Sequence, residues 1–257
     1  MGKPDKPIVC YVTDRKSLGD SEHDARRGTV ECDASAAPAA VVARIRMAIE
    51  AGVDWIQIRE KDLAAGRLLA LTREAVAAAN ELGARERGSR ARIYVNDRLD
   101  VALAAMAGGG VVKSLPAVAG LAAVAGVHLG GESLPVADVV RWRRAGNAPA
   151  EFQIGVSTHS VEQARQAERD GADYISFGPI FDTPSKRPFG PPQGTERLRE
   201  VCRALRIPVI AIGGINESNA GDCIRAGASG IAAIRVFQEA ASAEELARGI
   251  RRMRAGD

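Results

Sequence analysis

Aromatic residues are scarce, with Phe, Trp and Tyr together making up 4% of the 257 residues. A chain poor in large rings and rich in Ala, Val and Gly suits helices packed closely on a central sheet more than a β-sandwich. Cysteine is sparse as well. Cys10, Cys32, Cys202 and Cys223 have neither C-x-x-C spacing nor the density of a secreted scaffold, which predicts reduced thiols in a cytoplasmic protein. No single sign of charge dominates. The 35 basic and 32 acidic residues are scattered and sum to +3, so no basic tail or stripe is available for nucleic acid, while a small phosphorylated partner stays open. Long apolar runs are also missing. The N-terminal stretch MGKPDKPIVC lacks an apolar h-region, and the longest weakly polar run, Leu115 to Leu129, is too short and too Gly-rich to span a bilayer, so no membrane partner is expected.

What the chain does have is a repeated alternation. Short apolar runs occur at Ile8 to Val12, Trp55 to Ile58, Ile93 to Val95, Gly126 to Leu129, Ile154 to Val156, Tyr174 to Phe177, Val209 to Ile212 and Gly230 to Ile234. Amphipathic segments separate them, among them Ala39 to Glu50, Arg67 to Leu82, Val136 to Arg144, Val161 to Arg169, Glu217 to Arg225 and a last one at Ala243 to Arg254. Near-continuous apolar strands fit a parallel sheet buried on both faces. The segments AGVDWIQI, GADYISFG and GASGIAAI each place Gly between a helix and the following strand, a helix-capping position. Eight such units predict an α/β fold, a single (β/α)8 TIM barrel spanning residues 1–257, over an open doubly wound sheet. Residues 17–37 and 108–125 read as inserted segments within that one domain, the first as a mobile loop after the first strand.

In such barrels chemistry sits where strands end, and polar residues gather there. The second strand ends in QIREK, placing Gln57, Arg59 and Lys61 on alternate positions, which suits an anion. Asn96 and Asp97 end the third strand. Asn96 could instead cap the helix starting near Arg98, and Asp97 could complement that helix's dipole. After the fourth to seventh strands come HLGGES, GVSTHS, GPIFDTPSK and GGI. The glycines of IGGINESNA serve either a tight turn or a phosphate held by backbone N–H groups. His128 on its apolar strand reads as a packed histidine rather than a metal ligand, and His159 as a cap for the next helix.

The motifs YVTD, VDWIQIREKDL, YVNDRLDVAL, GVHLG, IGVSTHSVEQA, GADYISFGPIFDTPSK and IAIGGINESNA, in this order and spacing, resemble those of the thiamine-phosphate synthases over nearly the whole chain. That family is a (β/α)8 barrel and a Mg²⁺-dependent transferase. It joins 4-amino-5-hydroxymethyl-2-methylpyrimidine diphosphate to a thiazole phosphate, releasing pyrophosphate. The resemblance implies that Gln57, Ile58, Arg59, Glu60, Lys61, Asn96, Ser157 and Lys186 hold the pyrimidine diphosphate, with Arg59, Lys61, Ser157 and Lys186 catalytic. It implies Thr183, Pro184, Ser185 and the backbone around Gly214, Ile234 and Arg235 for the thiazole phosphate, and Asp97 for Mg²⁺. A homo-oligomer is left open.

Departures from the family pattern narrow the expectation. Where the family carries Gln and an acidic pair after HLG, this chain reads Gly131-Glu132-Ser133, so Ser133 replaces a metal carboxylate and Glu132 becomes the compensating candidate. Arg235 stands where the family has Ser. Two alternatives share the barrel: a thiazole tautomerase, with His159 as acid–base candidate, and a non-catalytic barrel that binds thiamine precursors. The tautomerase does not account for Gln57, Arg59, Lys61, Asn96, Asp97, Ser157 and Lys186 occurring together, and the binding barrel predicts phosphate binding without turnover.

Overall fold

The computed structural model describes residues 4–18, 36–85, 91–107, 124–183 and 191–255. Eight strands, β1 (Ile8–Val12), β2 (Trp55–Ile58), β3 (Arg92–Asn96), β4 (Val124–Leu129), β5 (Gln153–Thr158), β6 (Tyr174–Phe177), β7 (Val209–Ile212) and β8 (Gly230–Ala233), pair in sequence order. All pairs are parallel, and β8 returns to β1 with Val9 opposite Ile231, which closes the barrel. Outside it lie α1 (Ala36–Glu50), α2 (Ala65–Arg85), α3 (Leu99–Ala107), α4 (Val136–Trp142), α5 (Val161–Arg169), α6 (Gly194–Ala204), α7 (Ala220–Arg225), α8 (Arg235–Glu239) and α9 (Ala243–Ala255). The expected (β/α)8 barrel is observed.

Local chemistry explains the boundaries. β1, β2, β6 and β7 coincide with their apolar runs, whereas β5 reaches further at both ends, to Gln153, which accepts the Tyr94 hydroxyl inside the barrel, and to Thr158, whose hydroxyl donates to the Ser176 carbonyl at 3.3 Å. The helix expected from Glu217 begins at Ala220 instead. Asn216 to Asn219 form a turn in which the Asn219 side-chain oxygen accepts the Asn216 N–H and Asn216 accepts the Ser218 N–H. Competition of this kind keeps Asn and Ser out of helix interiors. The helix expected through Arg144 is α-helical to Trp142 and continues as one wider turn over Arg143–Asn147, in which Gly146 has φ 81°. In the three repeats the capping glycines Gly52, Gly171 and Gly227 have φ of 88°, 91° and 100°.

The repeated Asp of VDW and ADY secures the opposite end of the barrel from the strand C-termini. Asp54 accepts the Val9 N–H at 2.9 Å and pairs with Arg254 at 2.6 Å; Asp173 accepts the Ile154 N–H at 2.7 Å and pairs with Arg143 at 2.6 Å. Each carboxylate thus ties a helix to neighbouring strands. Inside the barrel Trp55, Tyr94 and Tyr174 form an aromatic floor with centroids 4.8 to 5.6 Å apart, and Gly155 leaves room for it. A Cβ at Gly155 would lie 2.1 Å from the Tyr174 ring. Most of the two expected insertions, residues 19–35 and 108–123, lies outside the described residues.

Candidate active site

A chain of side-chain hydrogen bonds crosses the C-terminal ends of β2, β3 and β4. The Gln57 amide donates to Asn96 Oδ1 at 2.7 Å, and the Asn96 amide donates to Asp97 Oδ2 at 2.6 Å. Oδ1 of Asp97 accepts the Gly130 N–H at 2.8 Å and the Ser133 hydroxyl. Asn96 is 9% exposed and turned into the barrel, so its amide serves this chain and does not cap α3. Asp97 lies before α3 with φ 61°, a left-handed conformation that Asp tolerates better than most residues. Its own N–H donates to the His128 carbonyl at 2.8 Å, which ties β3 to β4 at this point.

Three donors therefore converge on one carboxylate. Ionised, it offers about four acceptor positions, so Oδ2 keeps one for a cation. From the β4 loop the structure joins Ser133 to Asp97, while Glu132 stands exposed beside it on the turn. This donor set fits Mg²⁺ held by one or two protein carboxylates with phosphate and water completing the shell.

Beside the carboxylate lies positive charge. Arg59 is half-buried, its N–H donating to Thr13 Oγ1 at 2.9 Å, and Lys61 is exposed. Among the described residues no carboxylate pairs with Arg59, Lys61 or Arg235. The two other members of that run have structural side chains. Ile58 packs outward into the core between strands and helices. Glu60 is buried and accepts the Arg15 N–H at 3.1 Å and its guanidinium at 3.4 Å. Arg15 also reaches Asp62 at 2.7 Å, and this contact holds the Asp62 carboxyl well below the usual carboxylate range. The β1 loop is thereby fastened to the β2 loop.

Ser157, the penultimate residue of β5, is half-buried, with its Oγ 2.9 Å from Nε2 of the buried His128. Burial lowers the His128 pKa to about 4, with Arg59 adding to the effect and Asp97 opposing it, so the ring is neutral at pH 7. His128 is packed, as expected, and also hydrogen-bonded at both nitrogens, Nδ1 with the Tyr174 hydroxyl and Nε2 with Ser157. His159 does not cap α5. Ser160 does, accepting the Gln163 N–H at 3.2 Å, while His159 Nδ1 donates to the Gly178 carbonyl at 2.5 Å.

Opposite these groups, the loops after β6 and β7 are joined by backbone hydrogen bonds, from Ile180 N–H to the Ile212 carbonyl at 2.9 Å and from Phe181 N–H to Gly213 at 3.0 Å. Gly214 has φ 67°, and a Cβ there would lie 2.6 Å from the Asp182 carbonyl oxygen, so this glycine meets both a turn and a close approach. Half-buried Thr183 follows this zipper in the chain; Pro184, Ser185 and Lys186 lie outside the described residues. Ile234 and exposed Arg235 open α8, whose Gln238 donates to the Asp14 carbonyl at 2.6 Å and accepts the Ser17 hydroxyl. The sequence motifs did not reveal these links through Arg15, Gln238, Ser133 and Tyr174, because each joins residues far apart in the chain.

Comparison with known proteins agrees with this geometry. The model of the thiamine monophosphate synthase family, TMP-TENI, matches residues 30–237. A thiamine-phosphate synthase of Roseiflexus castenholzii is 37% identical over 243 residues, covering 95% of this chain and 86% of its own. One from Methanocella arvoryzae is 42% identical over 189 residues, covering 74% and 76%. The solved structure of a thiamine phosphate pyrophosphorylase from Pyrococcus furiosus superposes with a TM-score of 0.69 at 27% identity, covering 96% of this chain and 95% of that one. The chain belongs to the thiamine monophosphate synthase family.

Proposed function

We propose that this chain is a thiamine-phosphate synthase, a transferase that condenses the pyrimidine diphosphate with the thiazole phosphate to give thiamine phosphate and pyrophosphate. The observation that carries the reading is the rim itself. Gln57, Asn96 and Asp97 form one hydrogen-bonded chain beside Arg59 and Lys61, which no carboxylate neutralises among the described residues. A diphosphate with its counter-cation is the ligand such a rim suits.

In the reaction the C–O bond between the pyrimidine methylene and the diphosphate breaks, and its electron pair leaves on oxygen. The thiazole nitrogen then donates its lone pair to the methylene carbon, closing the new N–C bond. No covalent enzyme intermediate is needed. Arg59 and Lys61, with Lys186 from the β6 loop, stabilise charge growing on the leaving diphosphate. The Ser157 hydroxyl adds a donor, and the free part of the Gln57 amide, with Asn96, orients the pyrimidine. Thr183, Pro184 and Ser185, with the backbone at Gly214, Ile234 and Arg235, receive the thiazole phosphate. Gly214, Ile234 and Arg235 follow strands seven and eight, in whose loops barrels of this kind bind phosphate.

Asp97, with Glu132 on the adjacent turn, would hold Mg²⁺. The ion when bound neutralises diphosphate charge. We assign the whole chain to one domain, and the buried thiols of Cys10 and Cys223 support a cytoplasmic location. The tautomerase alternative would leave Arg59, Lys61 and Asp97 without a purpose. Chromatography of a mixture of protein, both substrates and Mg²⁺ tests the assignment: thiamine phosphate accumulates, and Arg59→Ala slows it. A folded protein that produces none would exclude the reading.

A further inference from the structure

Beneath the rim runs a second hydrogen-bonded line, from Tyr174 through His128 to Ser157. His128 Nδ1 lies 3.2 Å from the Tyr174 hydroxyl and Nε2 lies 2.9 Å from Ser157 Oγ. Neither nitrogen touches a carboxylate, and a neutral imidazole carries one N–H and one lone pair. The line can therefore be polarised in either of two senses, and Tyr174 decides between them.

The Tyr174 side chain is buried, and among the described residues His128 is its hydroxyl's sole hydrogen-bond partner. The neighbouring Tyr94 phenol donates to Gln153, and no hydrogen bond joins it to the Tyr174 hydroxyl among the described residues. Buried polar hydrogens nearly always find an acceptor, and the one within reach is the Nδ1 lone pair. The imidazole proton then resides on Nε2, since the bond made by one ring nitrogen sets the state of the other. Nε2–H donates to Ser157 Oγ. With that acceptor position filled, the serine's own proton is free to point away from His128, and the described residues offer it no other acceptor.

We propose that His128 is a positioning residue: locked as the Nε2–H tautomer by Tyr174, it presents the Ser157 hydroxyl as a hydrogen-bond donor to the diphosphate. The role of the diphosphate rests on the function proposed above; the tautomer does not. The relay biases the site towards an acceptor-only ligand and against a donor such as an amine or a protonated phosphate.

Nitrogen-15 NMR of histidine-labelled wild-type protein at neutral pH reads the tautomer directly. A proton on Nε2 and a bare Nδ1 are expected; an Nδ1–H tautomer or a doubly protonated ring would overturn the relay. Titration with inorganic pyrophosphate and Mg²⁺ reads its consequence. Ser157→Ala should weaken binding roughly tenfold, the loss of one hydrogen bond to a charged group. Tyr174→Phe keeps the ring over Gly155 and should weaken binding in the wild-type background but not in Ser157→Ala. Independent, additive losses would contradict the coupling. If the tautomer and the coupled losses are found but wild-type protein makes no thiamine phosphate, the synthase reading fails and the relay stands.

Discussion

Ser133 donates its hydroxyl hydrogen to Oδ1 of Asp97, the carboxylate that follows β3. A neutral donor thus occupies the place where the family pattern has a second acidic group. Ser133→Asp is expected to lower the Mg²⁺ concentration giving half-maximal rate, because a second charge then faces the same cation. Glu132→Gln should raise it, by roughly tenfold if Glu132 acts on the ion through water. Magnesium titrations of initial rate check both, and unchanged curves for both variants would remove this loop from the metal site.

Arg59 approaches the rim with no carboxylate partner among the described residues. If it stabilises charge that develops only as the diphosphate leaves, Arg59→Ala lowers kcat and kcat/KM together, by about an order of magnitude or more. The same holds for Lys186→Ala. Steady-state kinetics in which KM rises while kcat holds would assign these residues to ground-state binding alone.

Much of the fold was legible because its physics is local. Apolar runs and capping glycines near Gly52, Gly171 and Gly227 are properties of short segments, and they placed all eight strands. The site was legible as positions at strand ends, including Gln57, Asn96, Asp97 and Ser157. Its wiring was not. His128 and Ser157 are 29 residues apart, and Ser133 and Asp97 are 36 apart. Only the parallel pairing of β4 with β5 and of β3 with β4 makes them neighbours. Glu60 shows the converse: it sits inside a functional run, yet its carboxylate is turned to Arg15.

Gly214→Ala forces a Cβ into a left-handed turn against the Asp182 carbonyl. Strain of this kind costs on the order of 1–3 kcal/mol, so Tm should fall by about 5 °C in a protein of this size. The zipped β6 and β7 loops would shift together, raising KM for the thiazole phosphate more than for the pyrimidine diphosphate. A thermal melt and a pair of KM values indistinguishable from wild type would contradict this packing.

Burial, reinforced by Asp54, pushes the Cys10 thiol up to about 12 from 9.0, and burial with Asp222 does the same for Cys223. Above pH 9 the unfolded chain releases these protons while the folded one retains them, so stability is present below pH 9 and declines as pH rises towards 12. Each thiol contributes on the order of 1 kcal/mol of loss at pH 10. Buried Tyr11, Tyr94 and Tyr174 act in the same direction at still higher pH. Urea midpoints at pH 8 and pH 10 should differ accordingly, and Cys10→Ala should narrow the difference. Rapid alkylation of Cys10 in the folded protein at pH 8 would contradict the assignment.

The most direct measurement is phosphorus-31 NMR of the protein with Mg²⁺, the pyrimidine diphosphate and the thiazole phosphate. The account predicts that pyrophosphate and thiamine phosphate appear mole for mole, and that Arg59→Ala slows both equally. Pyrophosphate released without thiamine phosphate, or neither product from folded protein, would contradict a synthase built on this rim.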